Sequence, residues 1–307
     1  MAAAEREPGR MDNPYTDWSP IVSRPALRWP GEAPVALCVV IHLETMELFP
    51  PPGALAPPSA VGYGPYPSAF QISRVAAHEY GNRVGIFRVL DVLDRYGVPA
   101  TVAIDGQLAR SNPFLVDQCA SRGFEFIGHG MAFNRMITAE MAEEDERDYL
   151  AESLDAVEEA TGTRPNGWVG ADYGESEHTV ALLAALGVRY VCDWANDEQP
   201  YRMKVPSGSM IALPAAIDLD PVYTLHTRSI ATERWARMVT EGVDRLVADG
   251  ATNGRVLVLH LQPYLIGQPF RIRHLDVALK AVAAAPVWKA TGTEIVDWYS
   301  SAETGSE

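Results

Sequence analysis

One apolar run near the N-terminus limits the fold most strongly, because it predicts a strand that is buried on both faces. Residues 36–41 read A-L-C-V-V-I and are rich in β-branched side chains. A short continuous apolar run of this kind is typical of a parallel strand in an α/β fold. The run ends abruptly in H-L-E, and because side chains alternate along a strand, His42 and Glu44 are predicted to lie on the same side.

The same alternation of short apolar runs and amphipathic segments continues through the whole chain. Helices are predicted between the strands, among them one that Asn82 opens and one that Thr138 caps. Strand after helix in regular order indicates an α/β protein, and we predict a single distorted (β/α) barrel with seven strands rather than eight. The further predicted strands cover residues 100–104, 124–128, 166–169, 189–192, 210–213, 256–261 and 287–290.

Proline and glycine divide the chain into a barrel and its appendages. Residues 1–33 are predicted to form an N-terminal arm, 34–299 the barrel, and 300–307 a disordered tail. Within the barrel, residues 48–69 form a proline- and glycine-rich insert that cannot be regular structure. Because the insert leaves the carboxyl end of the first strand, a lid or pocket wall is one interpretation, and a plain surface excursion is the other.

Composition excludes several classes of protein. A hydrophobic content of 47% with 21% charged residues describes a soluble globular chain, and the net charge of −15 argues against a nucleic-acid partner. No apolar run is long enough to span a membrane, and the N-terminus has no hydrophobic signal core. The widely spaced Cys38, Cys119 and Cys192 indicate buried thiols rather than disulfides. We therefore predict a cytoplasmic protein.

Polar side chains at the predicted strand ends are the candidates for a site. Glu44 ends the first strand, His129 follows the third between two glycines, and His260 lies near the end of a late strand. The carboxyl ends of parallel strands are where α/β folds place their active sites. Glu44 could serve as a general base for water, although a solvated strand-end carboxylate is the alternative. For His129 the alternative is a histidine that is hydrogen-bonded in a core turn.

Several motifs together resemble the polysaccharide-deacetylase (NodB-homology) superfamily. The resemblance covers residues 13–299 and is nearest to the branch of metal-independent allantoinases and cyclic imide hydrolases. It implies the barrel fold and hydrolysis of a C–N bond. The motifs are H-L-E at 42–44, E-Y-G-N-R-V-G at 79–85, G-H-G at 128–130, R-P-N-G-W at 164–168, C-D-W-A-N-D-E-Q-P-Y at 192–201 and Q-P-Y-L-I-G-Q-P-F-R-I at 262–272.

The resemblance also tests whether a metal is expected. Deacetylases of the superfamily hold a divalent ion with an aspartate and two histidines spaced H-x-x-x-H, and here Glu44 and His129 fall on the first two of these positions. Phe133 occupies the second histidine position and cannot bind a metal. Catalytic zinc normally needs three protein ligands. We therefore predict no tightly held metal; if zinc binds, Glu44 and His129 are its ligands, with Asn134 or His78 as candidates for a third.

Two other departures concern the reaction itself. His42 replaces the aspartate that acts as base in deacetylases, and Gln262 replaces a histidine, with His260 two residues earlier on the same face. The predicted catalytic residues are Glu44, His129 and His260. The predicted substrate-binding residues are His42, Arg83, Trp168, Asp193, Trp194, Asn196, Gln262 and Tyr264.

The resulting prediction is a hydrolase of non-peptide C–N bonds that opens a cyclic amide, imide or ureide with activated water. A metal-dependent N-deacetylase of an amino sugar or small acetamide is the first alternative, and a non-catalytic relative that binds a small molecule is the second. No nucleotide-binding glycine motif is present, so no such cofactor is indicated. The predicted partners are a small-molecule substrate and, from the resemblance alone, further copies of the chain in a dimer or tetramer.

Overall fold

The computed structural model describes residues 11–59 and 72–304. Predictions for residues 1–10 of the arm, residues 60–69 of the insert and residues 305–307 of the tail lie outside the described residues. Within the described ranges, none of the helices has the length and apolar character that crossing a bilayer requires.

The strands form one curled sheet in the order β6-β7-β5-β4-β3-β2-β1-β8. Neighbours are parallel except for β6, which pairs with β7 in the antiparallel sense, and the short β9 pairs with the start of β1. A bridge between Ala215 and Val258 brings the chain after β7 against β8, so seven of the parallel strands, all except β9, curl into a distorted barrel as predicted. The strands are β1 Val35–Leu43, β2 Thr101–Ile104, β3 Glu125–Gly128, β4 Gly167–Trp168, β5 Tyr190–Val191, β6 Tyr201–Met203, β7 Met210–Ala212, β8 Arg255–Leu261 and β9 Val287–Lys289.

The helices cover the outside of the sheet. The longest two pack through apolar stripes, with Trp235, Val239 and Val243 buried along the second of them. The α-helices are α1 Ile72–Tyr80, α2 Ile86–Tyr96, α3 Gly106–Ser111, α4 Pro113–Ala120, α5 Glu143–Thr161, α6 Thr179–Ala185, α7 Thr232–Gly250, α8 Pro263–Ile266, α9 Ile272–Ala284 and α10 Gly292–Thr304.

Three predicted boundaries are wrong. Asn82 does not open a helix: it lies in a π-helical turn, Gly81–Gly85, that joins α1 to α2. Thr138 does not cap α5, because the chain becomes helical only at Glu143, where four acidic residues occupy the first turn. The tail does not begin at residue 300, since α10 continues to Thr304.

Alternation along β1 divides the core into two parts and places the site. The odd-numbered residues from Val35 to Leu43 pack against the helices, whereas Ala36, Cys38 and Val40 point into the barrel. The next even-numbered side chains are His42 and Glu44. The sequence pattern therefore carries two polar groups into the barrel at the carboxyl end of its central strand, as predicted.

Residues 27–29 of the arm are fixed to the opposite end of the barrel. Trp29 is 1% exposed, and its indole Nε1 donates a hydrogen bond to the Arg255 carbonyl oxygen at 2.6 Å. The Leu27 carbonyl accepts from Gly254 N at 2.9 Å. These contacts hold the arm against the start of β8.

Candidate active site

Glu44 lies in a buried cluster of histidines at the carboxyl ends of β1, β3 and β8. Its Oε1 atom is 3.1 Å from His129 Nε2 and 3.4 Å from His42 Nδ1, and the two nitrogens are 3.3 Å apart. None of the three residues is more than 5% exposed. The three atoms form a nearly equilateral triangle, which we call the His–Glu–His triangle.

Contacts on the far sides of the two histidines fix their orientation. His129 Nδ1 is 2.6 Å from the Val169 carbonyl oxygen, which can only accept, so Nδ1 carries the hydrogen. His42 Nε2 is 2.7 Å from His260 Nδ1, and the imidazole of His260 is itself 1% exposed. Both histidines of the triangle therefore direct their other ring nitrogen at Glu44.

The second oxygen of Glu44 faces a fourth histidine. Glu44 Oε2 is 3.5 Å from Nε2 of His78, which lies on α1. The His78 ring stacks on Tyr264 at 4.3 Å between centroids and contacts Phe133 at 4.8 Å. Phe133 and Tyr264 therefore both pack against His78 rather than against the triangle.

Burial and hydrogen bonding shift the pKa values of Glu44 and His129 in opposite directions. Burial by itself would raise the pKa of Glu44, but hydrogen bonds from His129, His42 and His78 hold that pKa well below its usual value. Burial would lower the pKa of His129, but the hydrogen bond and charge of Glu44 raise it. Burial and the charges of the two neighbouring histidines lower the pKa of His260 well below its usual value.

The triangle has the composition and spacing of a metal site. His42, Glu44 and His129 each offer one ligand atom, all within 4.8 Å of one another. Because zinc bonds to nitrogen and oxygen are about 2.0–2.2 Å long, ligand atoms in a tetrahedral site are roughly 3.3–3.5 Å apart. With Nδ1 of His129 protonated, its Nε2 and the Glu44 carboxylate require a proton or a cation between them. The residues therefore fit a divalent ion.

This fit corrects the prediction that only Glu44 and His129 remain as ligands. The third donor is His42, which the sequence analysis placed in the substrate pocket. Asn134 is not aimed at the triangle, because its amide makes two hydrogen bonds of 2.9 Å with the backbone of Glu47.

A narrow cavity of about 10 Å³ opens beside His42, which is room for about one water molecule or for one polar group of similar size from a larger ligand. Asp220 lies on its wall and accepts hydrogen bonds from the Tyr173 hydroxyl at 2.7 Å and from Gln262 Nε2 at 2.9 Å. Asp172 accepts from the Tyr223 hydroxyl at 3.2 Å and from Ser59. The other lining residues are Phe133, Gly170 and Val222.

The structure places the predicted substrate-binding residues in different surroundings. His42 and Gln262 line the cavity. The Arg83 side chain is 77% exposed and lies 3.7 Å from Glu79, on the outer face of the π-helical turn. Trp168 is fully buried under Gly128.

The remaining three predicted residues lie along the chain after β5. Asp193 Oδ1 accepts from Gly170 N at 2.7 Å, which supports the cavity wall from behind. Trp194 packs on Tyr15 of the arm, and Asn196 accepts from the Tyr201 hydroxyl. None of the three lines the cavity.

Sequence analysis did not single out the acidic wall of the cavity. Asp220 lies in the irregular stretch between β7 and α7, where no periodicity marks a face. Asp172 lies four residues after the end of β4, so the alternation of side chains along the strand does not predict where Asp172 points. The one available signal was the dipeptide D-Y at 172–173 after a predicted strand end.

An α/β barrel with a buried carboxylate and histidines at the carboxyl ends of its strands defines the structural class of this chain. Residues 79–191 match the family model described as polysaccharide deacetylase. The matched segment contains strands β2, β3, β4 and β5.

Three individual relatives extend the likeness over most of the chain. A Schizosaccharomyces pombe protein called "Putative polysaccharide deacetylase" is 23% identical over 298 residues, which are 89% of this chain and 92% of that protein. The crystal structure of PuuE allantoinase superposes with a TM-score of 0.79 at 23% identity, covering 93% of this chain and 98% of that one. A structure described as a probable polysaccharide deacetylase from Pseudomonas aeruginosa PAO1 gives 0.78 at 24% identity, covering 92% and 97%. At these identities the structural matches establish the fold alone.

Proposed function

We propose that this chain is a hydrolase of non-peptide C–N bonds that opens a cyclic amide, imide or ureide with an activated water. The observation that carries the proposal is the His–Glu–His triangle, buried at the carboxyl ends of the strands and adjoining a narrow cavity. The match of residues 79–191 to the polysaccharide-deacetylase family and the likeness in fold to an allantoinase support the same class of reaction.

The contacts of the triangle assign a task to each group. A water molecule held by Glu44 would lose its proton to the Glu44–His129 pair as its oxygen attacks the carbonyl carbon. The leaving nitrogen would then take this proton from the Glu44–His129 pair, while His42 holds Glu44 in place. His260 was predicted to be catalytic, but it lies behind His42 and is better described as a positioning residue. Arg83, exposed and paired with Glu79, receives no role.

The same residues would hold a divalent cation, with His42, Glu44 and His129 as its ligands. When bound, such an ion polarises a carbonyl and makes a water molecule more acidic. The second candidate function, metal-dependent deacetylation of an amino sugar or small acetamide, is favoured by this three-donor set. Binding without catalysis is the third candidate, and turnover of any of these substrates would exclude it.

The test is hydrolysis of a small panel by the purified full chain and by Glu44→Gln. The panel contains succinimide, hydantoin, allantoin and N-acetylglucosamine, assayed with and without added zinc. Glu79→Gln is the matched control, because Glu79 is an exposed glutamate outside the cavity. We expect turnover of at least one ring compound and a loss of about 100-fold or more in Glu44→Gln only. Equal activity of wild type and Glu44→Gln would contradict the proposal.

A further inference from the structure

One wall of the cavity beside His42 consists of hydrogen-bond acceptors. Asp220 is 1% exposed and Gln262 is 3% exposed, and both line the cavity with Asp172. Gln262 Nε2 donates to Asp220, but Gln262 Oε1 has no hydrogen-bond partner among the described residues. A buried carbonyl oxygen without a donor costs free energy, so this atom is suited to accept from a ligand.

The carboxylate of Asp172 has one oxygen on the same wall that can accept a further hydrogen bond. Its hydrogen bonds from Ser59 and Tyr223 both end on Oδ1, and no described residue donates to Oδ2. The hydroxyls of Tyr173 and Tyr223 already donate to the two aspartates, so they add no free donors. Among the described residues that line the cavity there is no lysine or arginine to pair with either carboxylate.

The backbone that presents this wall is held in an unusual conformation. Asp172 and Tyr173 have φ angles of 53° and 59°, in the left-handed region that favours glycine. Non-glycine residues in this region are strained, and such backbone is concentrated at ligand sites. The hydrogen bonds of Tyr173 to Asp220 and of Tyr223 to Asp172 hold the turn against the cavity.

We infer that Asp172 and Gln262 determine specificity by accepting hydrogen bonds from N–H groups of a substrate that carries no negative charge on that side. Asp220, whose oxygens already accept from Val222 N, Tyr173 and Gln262, orients Gln262 for this contact. This inference rests on the proposed function and narrows its substrate class. Both a neutral ureide or imide edge and a cationic amidine or ammonium group have the required N–H donors. A carboxylate would meet two carboxylates and an unpaired carbonyl oxygen, and is excluded.

The test is direct binding of three nearly isosteric planar probes, acetamidinium, acetamide and acetate, measured by isothermal titration with the full chain. The variants are Asp172→Asn and, as a matched control, Asp218→Asn, because Asp218 is 73% exposed and pairs with Arg228 outside the cavity. We expect acetamidinium or acetamide to bind at least 10-fold more tightly than acetate. Asp172→Asn should weaken acetamidinium by about 10-fold while leaving acetate unchanged or improved.

The outcomes separate this inference from the proposed function, because binding does not require turnover. Tighter binding of acetamide than of acetamidinium would indicate that the wall binds the edge of a neutral ring. The reverse order would indicate that it binds a cationic group, and both results support the inference. Tightest binding of acetate, or equal effects of Asp172→Asn and Asp218→Asn, would overturn it even if ring hydrolysis is observed. N–H selectivity that depends on Asp172, without hydrolysis of the panel, would overturn the proposed reaction instead.

Discussion

His42 Nε2 lies 2.7 Å from His260 Nδ1, so the ring that lines the cavity is held in place by a second, fully buried imidazole. His42 directs its other nitrogen at Glu44, 3.4 Å away. The orientation of one edge of the His–Glu–His triangle therefore depends on a residue that does not line the cavity. Such outer partners commonly change activity by 10–100-fold when they are lost.

Replacing His260 by alanine is expected to lower kcat by about 10–100-fold with little change in KM, because His42 loses its orienting partner. His260→Asn should recover part of the loss, since an asparagine amide can occupy the position of Nδ1. Steady-state kinetics together with thermal unfolding measure both effects. His274→Ala on α9 is the control, and a large rise in KM with unchanged kcat would show that His260 acts on binding instead.

The carboxyl group of Glu175 is expected to make the free energy of unfolding depend on pH. Burial raises the pKa of Glu175 to about 7 and raises that of the neighbouring Asp193 well above its usual value, so the pair shares a proton. A carboxyl with a higher pKa in the folded than in the unfolded protein stabilises the fold less as pH rises from about 4.5 to 7. We expect the free energy of unfolding to fall by up to about 3 kcal/mol across that window.

Glu175→Gln should flatten this dependence, because the amide does not titrate. Chemical denaturation at pH 5 and pH 7.5 measures it in wild type, Glu175→Gln and the control Glu177→Gln, whose side chain is 80% exposed in the wild type. A wild-type stability that rises with pH over the window would contradict the assignment of a shared proton.

Gly85 permits the close approach of the π-helical turn to α8. A Cβ atom at residue 85 would collide with the Pro263 carbonyl oxygen, which is backbone and cannot move aside. Gly85→Ala is therefore expected to lower the free energy of unfolding by more than about 2 kcal/mol. Gly242→Ala in α7 is the control: its Cβ would be 3.9 Å from the nearest atom, and stability should rise by about 0.5–1 kcal/mol. Equal effects in urea denaturation would contradict the close approach.

The sequence predicted the barrel and the approach of Glu44 to His129 because both follow from local rules. Period-two alternation placed His42 and Glu44 on one side of β1, and the parallel strand order brought His129 beside them. The H-x-x-x-H motif, however, indicates metal ligands only at the positions that the superfamily uses, and His42 is not one of them. His42 completes the triangle from the same strand as Glu44, a geometry that depends on how far each side chain reaches.

The cavity wall could not be predicted for a related reason. Asp220 reaches the site from a stretch with a π-helical turn at Val222–Thr227, and Asp172 from a left-handed turn. Neither conformation has a periodic signature in the sequence. Conversely, Arg83 was singled out because a cation is unusual at the start of a helix, but the chain is already helical from Ile72, so that argument did not apply.

Glu44 and His129 are expected to act as one catalytic unit, and a double-mutant cycle on turnover distinguishes this from independent action. The measurement is kcat/KM for the best ring substrate of the panel with wild type, Glu44→Gln, His129→Asn and the double variant. If the two groups act as a unit, each single variant loses about 100-fold or more and the double variant loses no more than the worse single one. Losses that multiply in the double variant, or a single variant that keeps full activity, would contradict the account.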